Sequence, residues 1–271
     1  MYLIEKVLNH NSILVSKKKK NYLVLEKGIG FQKKANQVIQ LDEDITMYLL
    51  EDSNRGTSRE IIERIEVKYL ELANRILELA KHFLGNIDQN ILLALADHIA
   101  FAIERMSHGL KISNPYASEI RLLNPDEYEV ALQVRNLIFE ETGYEFDEEE
   151  LGYITLHLHC AKTSEQVDTH MQVAIIVNES LKKIESRFQI KIDVNTLSYS
   201  RLMTHIRYMI ARIKKNEALT IDMDEFVKNK FPEAYEVAQE IVIEIAKVLK
   251  YKIERVEVGY LALHIQRVCE I

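Results

Sequence analysis

The feature that most constrains this chain is that part of it is written twice. Residues 152–157 read Gly-Tyr-Ile-Thr-Leu-His and residues 259–264 read Gly-Tyr-Leu-Ala-Leu-His, an offset of 107. The same offset carries His98 onto His205, Arg105 onto Arg212, Pro125 onto Pro232, and Tyr128-Glu129-Val130-Ala131 onto Tyr235-Glu236-Val237-Ala238. A repeat of 107 residues has the size of a domain and leaves a head of about 55–60 residues. Each copy places one histidine early and one late, 59 residues apart both times.

Composition narrows the classes. Only 8 Gly and 3 Pro in 271 residues favour helix over most of the length. No apolar run approaches the ~20 residues of a membrane span, and Met1 to Lys6 lack a signal-peptide core, so a cytoplasmic location is expected. Two cysteines, Cys160 and Cys269, do not make a disulfide framework. The net charge of −7 is unevenly spread: residues 1–40 hold eight Lys against Glu5 and Glu26, a balance of +6, so residues 41–271 carry −13. A basic head on an acidic body points to a polyanion as the partner of the head.

The head alternates short apolar runs with turn residues. Tyr2–Leu8, Ser12–Ser16, Tyr22–Leu25 and Met47–Leu50 read as four strands of a small antiparallel sheet with one buried face. So thin a core suggests pairing with a second copy. Between strands three and four, Lys27-Gly28-Ile29-Gly30-Phe31-Gln32-Lys33-Lys34 sets an aromatic ring beside cations. That combination suits unpaired bases and phosphates. On residues alone, Phe31 could equally be core with the lysines solvated. Lys17–Lys20 reads as a solvated hairpin tip.

From Ser58 the apolar period changes from 2 to 3.6. Each copy reads as a bundle of four to five helices, with helices expected at 91–106, 126–141 and 148–161, then 173–188, 197–214, 233–251 and 254–268. The fold class is therefore α+β and multidomain: a small antiparallel sheet, then two duplicated all-α bundles. The expected domains are 1–56, 57–168 and 169–271.

A lone histidine on an apolar helical face is ordinarily a packing group. Here most positions between the copies have diverged, yet both histidines of each copy persist. Leu or Met would serve packing as well, so the imidazole nitrogens are expected to be used. Metal ligation, acid–base catalysis and phosphoryl acceptance are the open uses. Metal ligation lacks a Cys cluster or His-Glu-x-x-His, and His159 is matched by Gln266. Catalysis lacks a nucleophile or a cradling loop. Arg105 and Arg212 stand seven residues beyond His98 and His205, on the same face.

These residues, in order, resemble the transcription antiterminators of the BglG/SacY/LicT family over the full length. The resemblance rests on Lys6-Val7-Leu8-Asn9-His10-Asn11, on 27–34, on Asp97 to Arg105, on 152–157, on Thr204-His205 and on 259–264. It implies a homodimeric head that binds an imperfect leader-RNA hairpin and so blocks an overlapping terminator. Asn11, Gly28, Phe31 and Gln32 would contact RNA, with Lys6, Lys27 and Lys33 near phosphates. His98, His157, His205 and His264 would take phosphate from HPr and a sugar-specific enzyme II permease of the phosphotransferase system (PTS). Phosphate on the first copy would silence, and on the second activate. The resemblance implies no cofactor, metal or catalytic residue.

The chain departs from the pattern at His10, where asparagine is common, and at Glu26-Lys27-Gly28, where the family usually reads Gly-Arg-Gly. Lysine loses the planar two-point grip of arginine on phosphate. His108 and His159 lack counterparts in the second copy and read as structural. Two competing readings are a DNA-binding activator with the same regulatory copies, which needs a helical head, and a histidine-ligated metal-dependent enzyme.

Overall fold

The structure is a computed structural model that describes all residues except 43–44, 51–57, 164–165, 218 and 271. The chain forms two compact units. One comprises Met1–Ser113 with Asp126–Ser164, the other Asn114–Pro125 with Glu165–Ile271.

In the first unit the head is an antiparallel sheet of β1 (Tyr2–Asn9), β2 (Ser12–Lys17), β3 (Lys20–Leu25), β4 (Val38–Ile39) and β5 (Met47–Leu50), ordered β4-β1-β2-β3-β5. The sheet has five strands rather than the expected four. The two-residue β4, paired to β1 through Tyr2–Ile39 and Leu3–Val38, is too short to show an alternating pattern. The β2–β3 turn places Lys18 and Lys19 in the left-handed region (φ 50° and 64°), as a two-residue hairpin requires. The lysine run is thus a hairpin tip, with Lys17 Nζ 4.4 Å from the Tyr2 ring.

Both faces of the sheet are buried, which corrects the expectation of one. Successive strand residues point to opposite faces. Ile4, Ile13, Val15 and Val24 pack with Ile29, Ile39, Leu41 and Ile45 from the segment that folds back after β3. Leu14, Leu23, Leu25 and Tyr48 share a core with Ile61, Leu70 and Ile76. Those come from α1 (Ser58–Arg64) and α2 (Val67–Leu84). Burying each such side chain is worth ~1.5–3 kcal/mol, so the head draws stability from the bundle that follows it. Polar contacts accompany the seam: Asn9 Nδ2 donates to Glu71 Oε1 at 3.0 Å, and the Tyr48 hydroxyl donates to Asn74 Oδ1.

α3 (Leu92–Ser107), α5 (Pro125–Thr142) and α6 (Glu148–Thr163) complete the first bundle; α4 (Ala117–Leu123) belongs to the second unit. There it joins α7 (Val167–Phe188), α8 (Leu197–Lys215), α9 (Asp224–Lys230), α10 (Pro232–Leu249) and α11 (Arg255–Cys269). Local chemistry sets several ends. Thr196 caps α8 by accepting from the Tyr199 N–H at 3.2 Å, and Pro232 opens α10. Gln189, Asn216 and Lys250 close α7, α8 and α10 in the left-handed region.

The offset of 107 also relates α4 to α9. Each is seven residues long, too short to give a periodic signal, and neither was expected from the sequence. α4 packs on α7 and α8, where Glu119 accepts from Asn178 Nδ2 at 3.1 Å and Ile120 is buried. α9 packs on α10 and α11, where Tyr235 donates to Asp224 Oδ1 at 2.8 Å. A Cβ on Gly259 would lie 3.0 Å from Asp224 Cα, so this close approach accounts for glycine in the second copy's Gly-Tyr motif. The expected 56/57 boundary lies outside the described residues, and 168/169 falls in the first turn of α7.

Candidate functional site

The first candidate site is the loop after β3. It is stitched to the β1–β2 turn. Glu26 N–H donates to Asn11 O at 2.9 Å, Gly28 N–H to Asn11 Oδ1 at 2.9 Å and Gly30 N–H to His10 O at 2.9 Å. A Cβ on Gly30 would sit 2.1 Å from Asn9 O, so the approach of loop to turn admits glycine alone. This stitching holds Asn11 and Gly28 in one place and sets Phe31 edge-on to His10, ring centroids 5.6 Å apart. Phe31 is 55% exposed, which settles against its being core. A large exposed ring beside the exposed Gln32, Lys27, Lys33 and Lys34 offers a stacking surface amid cations. Lys6 is exposed on β1. The Lys17–Lys20 tip lies at the other end of β2.

Sequence reading missed the support beneath this loop. Asn9 Oδ1 accepts from the Asn11 N–H at 2.8 Å while its amide donates to Glu71 on α2. A lone glutamate on a helix carries no sequence signal of such a role.

The second candidate site occurs twice, once in each unit. In the first, α3 and α6 bring His98 and His157 together with ring centroids 5.2 Å apart, and Tyr153 lies 5.4 Å from His98. In the second, α8 and α11 stack His205 on His264 at 4.6 Å, with Tyr260 6.3 Å from His205. The four histidines thus form two ring pairs, one in each unit, a proximity that the 59-residue spacing did not itself predict. His157 is buried, 4% exposed, whereas His264 is partly open.

Behind each pair lies an ion pair. Arg105 Nη2 donates to Glu150 Oε1 at 2.9 Å, and Glu150 Oε2 faces His98 Nε2 at 3.5 Å. Arg212 grips Glu257 with both arms at 2.8 Å, and Glu257 Oε2 lies 4.0 Å from His205 Nε2. The arginines were read from the sequence, but the glutamates were not. The same offset of 107 carries Glu150 onto Glu257, and that was the available signal. Burial alone would raise the Glu150 carboxyl, but the His98 ring 3.5 Å away and the hydrogen bond from Arg105 outweigh it and hold the group below its usual range.

Burial, then His264 and Arg212, push the His205 imidazole down to about 3. Burial, then Arg267 and Arg201, lower His264 as well. Both rings of the second pair are therefore neutral near pH 7, the form with a free lone pair for nucleophilic attack. His159, treated as structural, has Nδ1 3.2 Å from Glu127 Oε1. Among the described residues, no group of three His, Cys, Asp or Glu could hold a metal ion, and no helix is long and apolar enough to cross a membrane.

The chain thus joins a β-sheet head carrying an exposed basic loop to two helical regions with paired histidines, the layout of a regulatory RNA-binding protein of the family that its domains match. Residues 2–56 match the CAT RNA binding domain, and residues 73–161 and 178–268 each match the PRD domain. The chain is similar to Protein GlcT of Staphylococcus haemolyticus, 33% identical over 97% of this chain and 95% of that protein. It is 30% identical to Protein GlcT of Staphylococcus saprophyticus over 99% and 98% of the two chains. A solved structure described as GlcT CAT-PRDI covers 60% of this chain and 98% of its own, with 32% identity and a TM-score of 0.50. The chain belongs to the BglG family of transcription antiterminators and is GlcT-like. The DNA-binding alternative called for a helical head, whereas the described head residues form a sheet and match an RNA-binding domain.

Proposed function

We propose that this chain acts in the cytoplasm as a homodimer that grips a leader-RNA hairpin and so prevents an overlapping terminator from forming. Residues 1–56 are the gripping module, and 57–168 and 169–271 are the regulatory domains. Asn11, Gly28, Phe31 and Gln32 contact the RNA; Lys6, Lys27 and Lys33 neutralise phosphates. The observation that carries the reading is the coincidence of an exposed Phe31 on a loop pinned through Asn11 with two closely packed histidine pairs.

Control comes through phosphorylation of His98 and His157 in the first regulatory domain and of His205 and His264 in the second. HPr and a sugar-specific enzyme II permease are the donors. Phosphate on the first domain silences, and phosphate on the second, from HPr, activates. Each transfer adds about −1.5 to −2 charges beside a buried carboxylate. Across a two-fold axis every added charge meets its twin. A change of ~5.5 kcal/mol is enough to invert a 1:99 population of aligned dimers.

The test is a gel-shift titration of the chain's own leader hairpin with His98→Asp, His157→Asp and His264→Asp proteins, alongside sedimentation. Opposite shifts in affinity for the two domains support the proposal. Unchanged dimerisation and affinity in all three remove it.

A further inference from the structure

The two histidine pairs share geometry but not their electrostatic setting. α8 carries Arg201 where α3 carries Ala94, and Thr204 where α3 carries Asp97. α11 carries Arg267 where α6 carries Cys160. All three replacements make the second pair more positive.

Arg201, Ser200, Thr204 and Tyr208 line a groove of about 330 Å³ with His205, His264 and Arg212. Arg212 is already held by Glu257 on both arms. Arg201 is exposed and makes no ion pair among the described residues. The contrast with the first pair is direct: Asp97, beside His98, is bound to Arg64 at 2.6 Å, so the local cation there is spent on a carboxylate.

We infer that Arg201 is a phosphate-positioning residue of the second domain: its free guanidinium receives the transferring phosphoryl group in the groove and makes His205 and His264 the faster acceptors. This rests on the phosphoryl-acceptor reading proposed above. A guanidinium presents planar paired donors matched to phosphate oxygens, and a charge-assisted contact is stronger than a neutral one. It stabilises the dianion both as it arrives and while it sits on the imidazole. A first pair with alanine at 94 must accept phosphate without that help.

Phosphoramidate isolates the effect, because it needs no protein docking. In the reaction the P–N bond of the donor breaks and a new P–N bond forms to a neutral imidazole nitrogen. The imidazole proton leaves with the amine as ammonium. Full-length wild type, Arg201→Ala, Arg201→Lys and Ala94→Arg would be incubated with phosphoramidate. Label at each histidine would be followed by peptide mass spectrometry at neutral pH, with far-UV circular dichroism as a folding check.

In the wild type, His205 or His264 should label faster than His98 and His157. Arg201→Ala should lower the second-pair rate by about tenfold, the scale of one charge-assisted hydrogen bond, while leaving the first pair unchanged. Arg201→Lys should recover part of the rate, and Ala94→Arg should raise the first-pair rate. If Arg201→Ala labels like wild type, or Ala94→Arg brings no gain, Arg201 has no such role. If neither pair labels in any protein, the phosphoryl-acceptor reading itself fails, a result distinct from equal labelling of both pairs.

Discussion

Arg212 and Glu257 form a two-point ion pair, 2.8 Å on each arm, and the same carboxylate lies 4.0 Å from His205 Nε2. Arg105 and Glu150 repeat the relation behind His98. An anion placed on the imidazole would compete with the glutamate for the arginine. Glu257 lies in the first turn of α11 and Glu150 in the first turn of α6. A local charge can thereby reach the position of a whole helix.

Removing Arg212 leaves Glu257, 5% exposed, as an uncompensated buried charge. Arg212→Ala should destabilise the second unit by ~3 kcal/mol, the lower end for breaking a buried pair, because Arg212 is itself partly solvated. Arg187→Ala, which breaks half-exposed pairs with Glu233 and Glu236, should cost under ~1 kcal/mol. Urea unfolding of the two variants checks the contrast; equal losses would show that the buried pair is not special.

The His205 imidazole ionises near 3 in the fold against an ordinary 6.5. A depressed folded value means that protonation opposes folding. The stability linked to this group is complete above pH 6.5 and drains away as pH falls toward 3. Thermal unfolding of wild type should therefore weaken between pH 6.5 and 4 more steeply than that of His205→Gln. Parallel profiles of the two proteins would contradict this.

Phe31 and Lys33 should separate by mechanism. Phe31→Ala should weaken hairpin binding by ~1–3 kcal/mol with little change in salt dependence, as loss of one base stack does. Lys33→Ala should reduce the slope of log affinity against log salt by about 1, as loss of one phosphate contact does. Salt titrations of both variants read the two effects independently.

Glu71 touches Asn9, whose side chain in turn holds the Asn11 N–H. Glu71→Ala should lower hairpin affinity severalfold although the residue lies on α2 and not in the loop, while Glu71→Gln, which keeps an acceptor, should bind nearly as wild type. Amide hydrogen exchange at Asn11 and Gly28 should rise in the alanine variant only. Unaltered exchange in both would mean that α2 does not support the loop.

The parts of this fold that could be read from sequence are those with period or repetition. An offset of 107 singled out four histidines as equivalent positions of two copies, and alternating apolar runs marked the four longer strands. What escaped has no period. β4 is two residues long, and α4 and α9 are seven each. Burial of both sheet faces escaped because it depends on where α2 docks, a long-range contact with no local trace. Glu150 and Glu257 share the repeat offset, but a glutamate in an acidic first turn carries no other sign that it lies beside a histidine. Phe31 was ambiguous because a hydrophobic residue in a basic loop reads equally as anchor or as platform; only its 55% exposure decides.

The most direct measurement is the affinity of the full-length chain for its leader hairpin before and after HPr-dependent phosphorylation, with the occupied histidines mapped in the same samples. Phosphate confined to His205 and His264 should tighten binding and strengthen dimerisation, and His205→Ala combined with His264→Ala should abolish the response. Stoichiometric phosphorylation of that pair with no change in hairpin affinity or dimerisation would contradict the link between histidine charge and RNA grip.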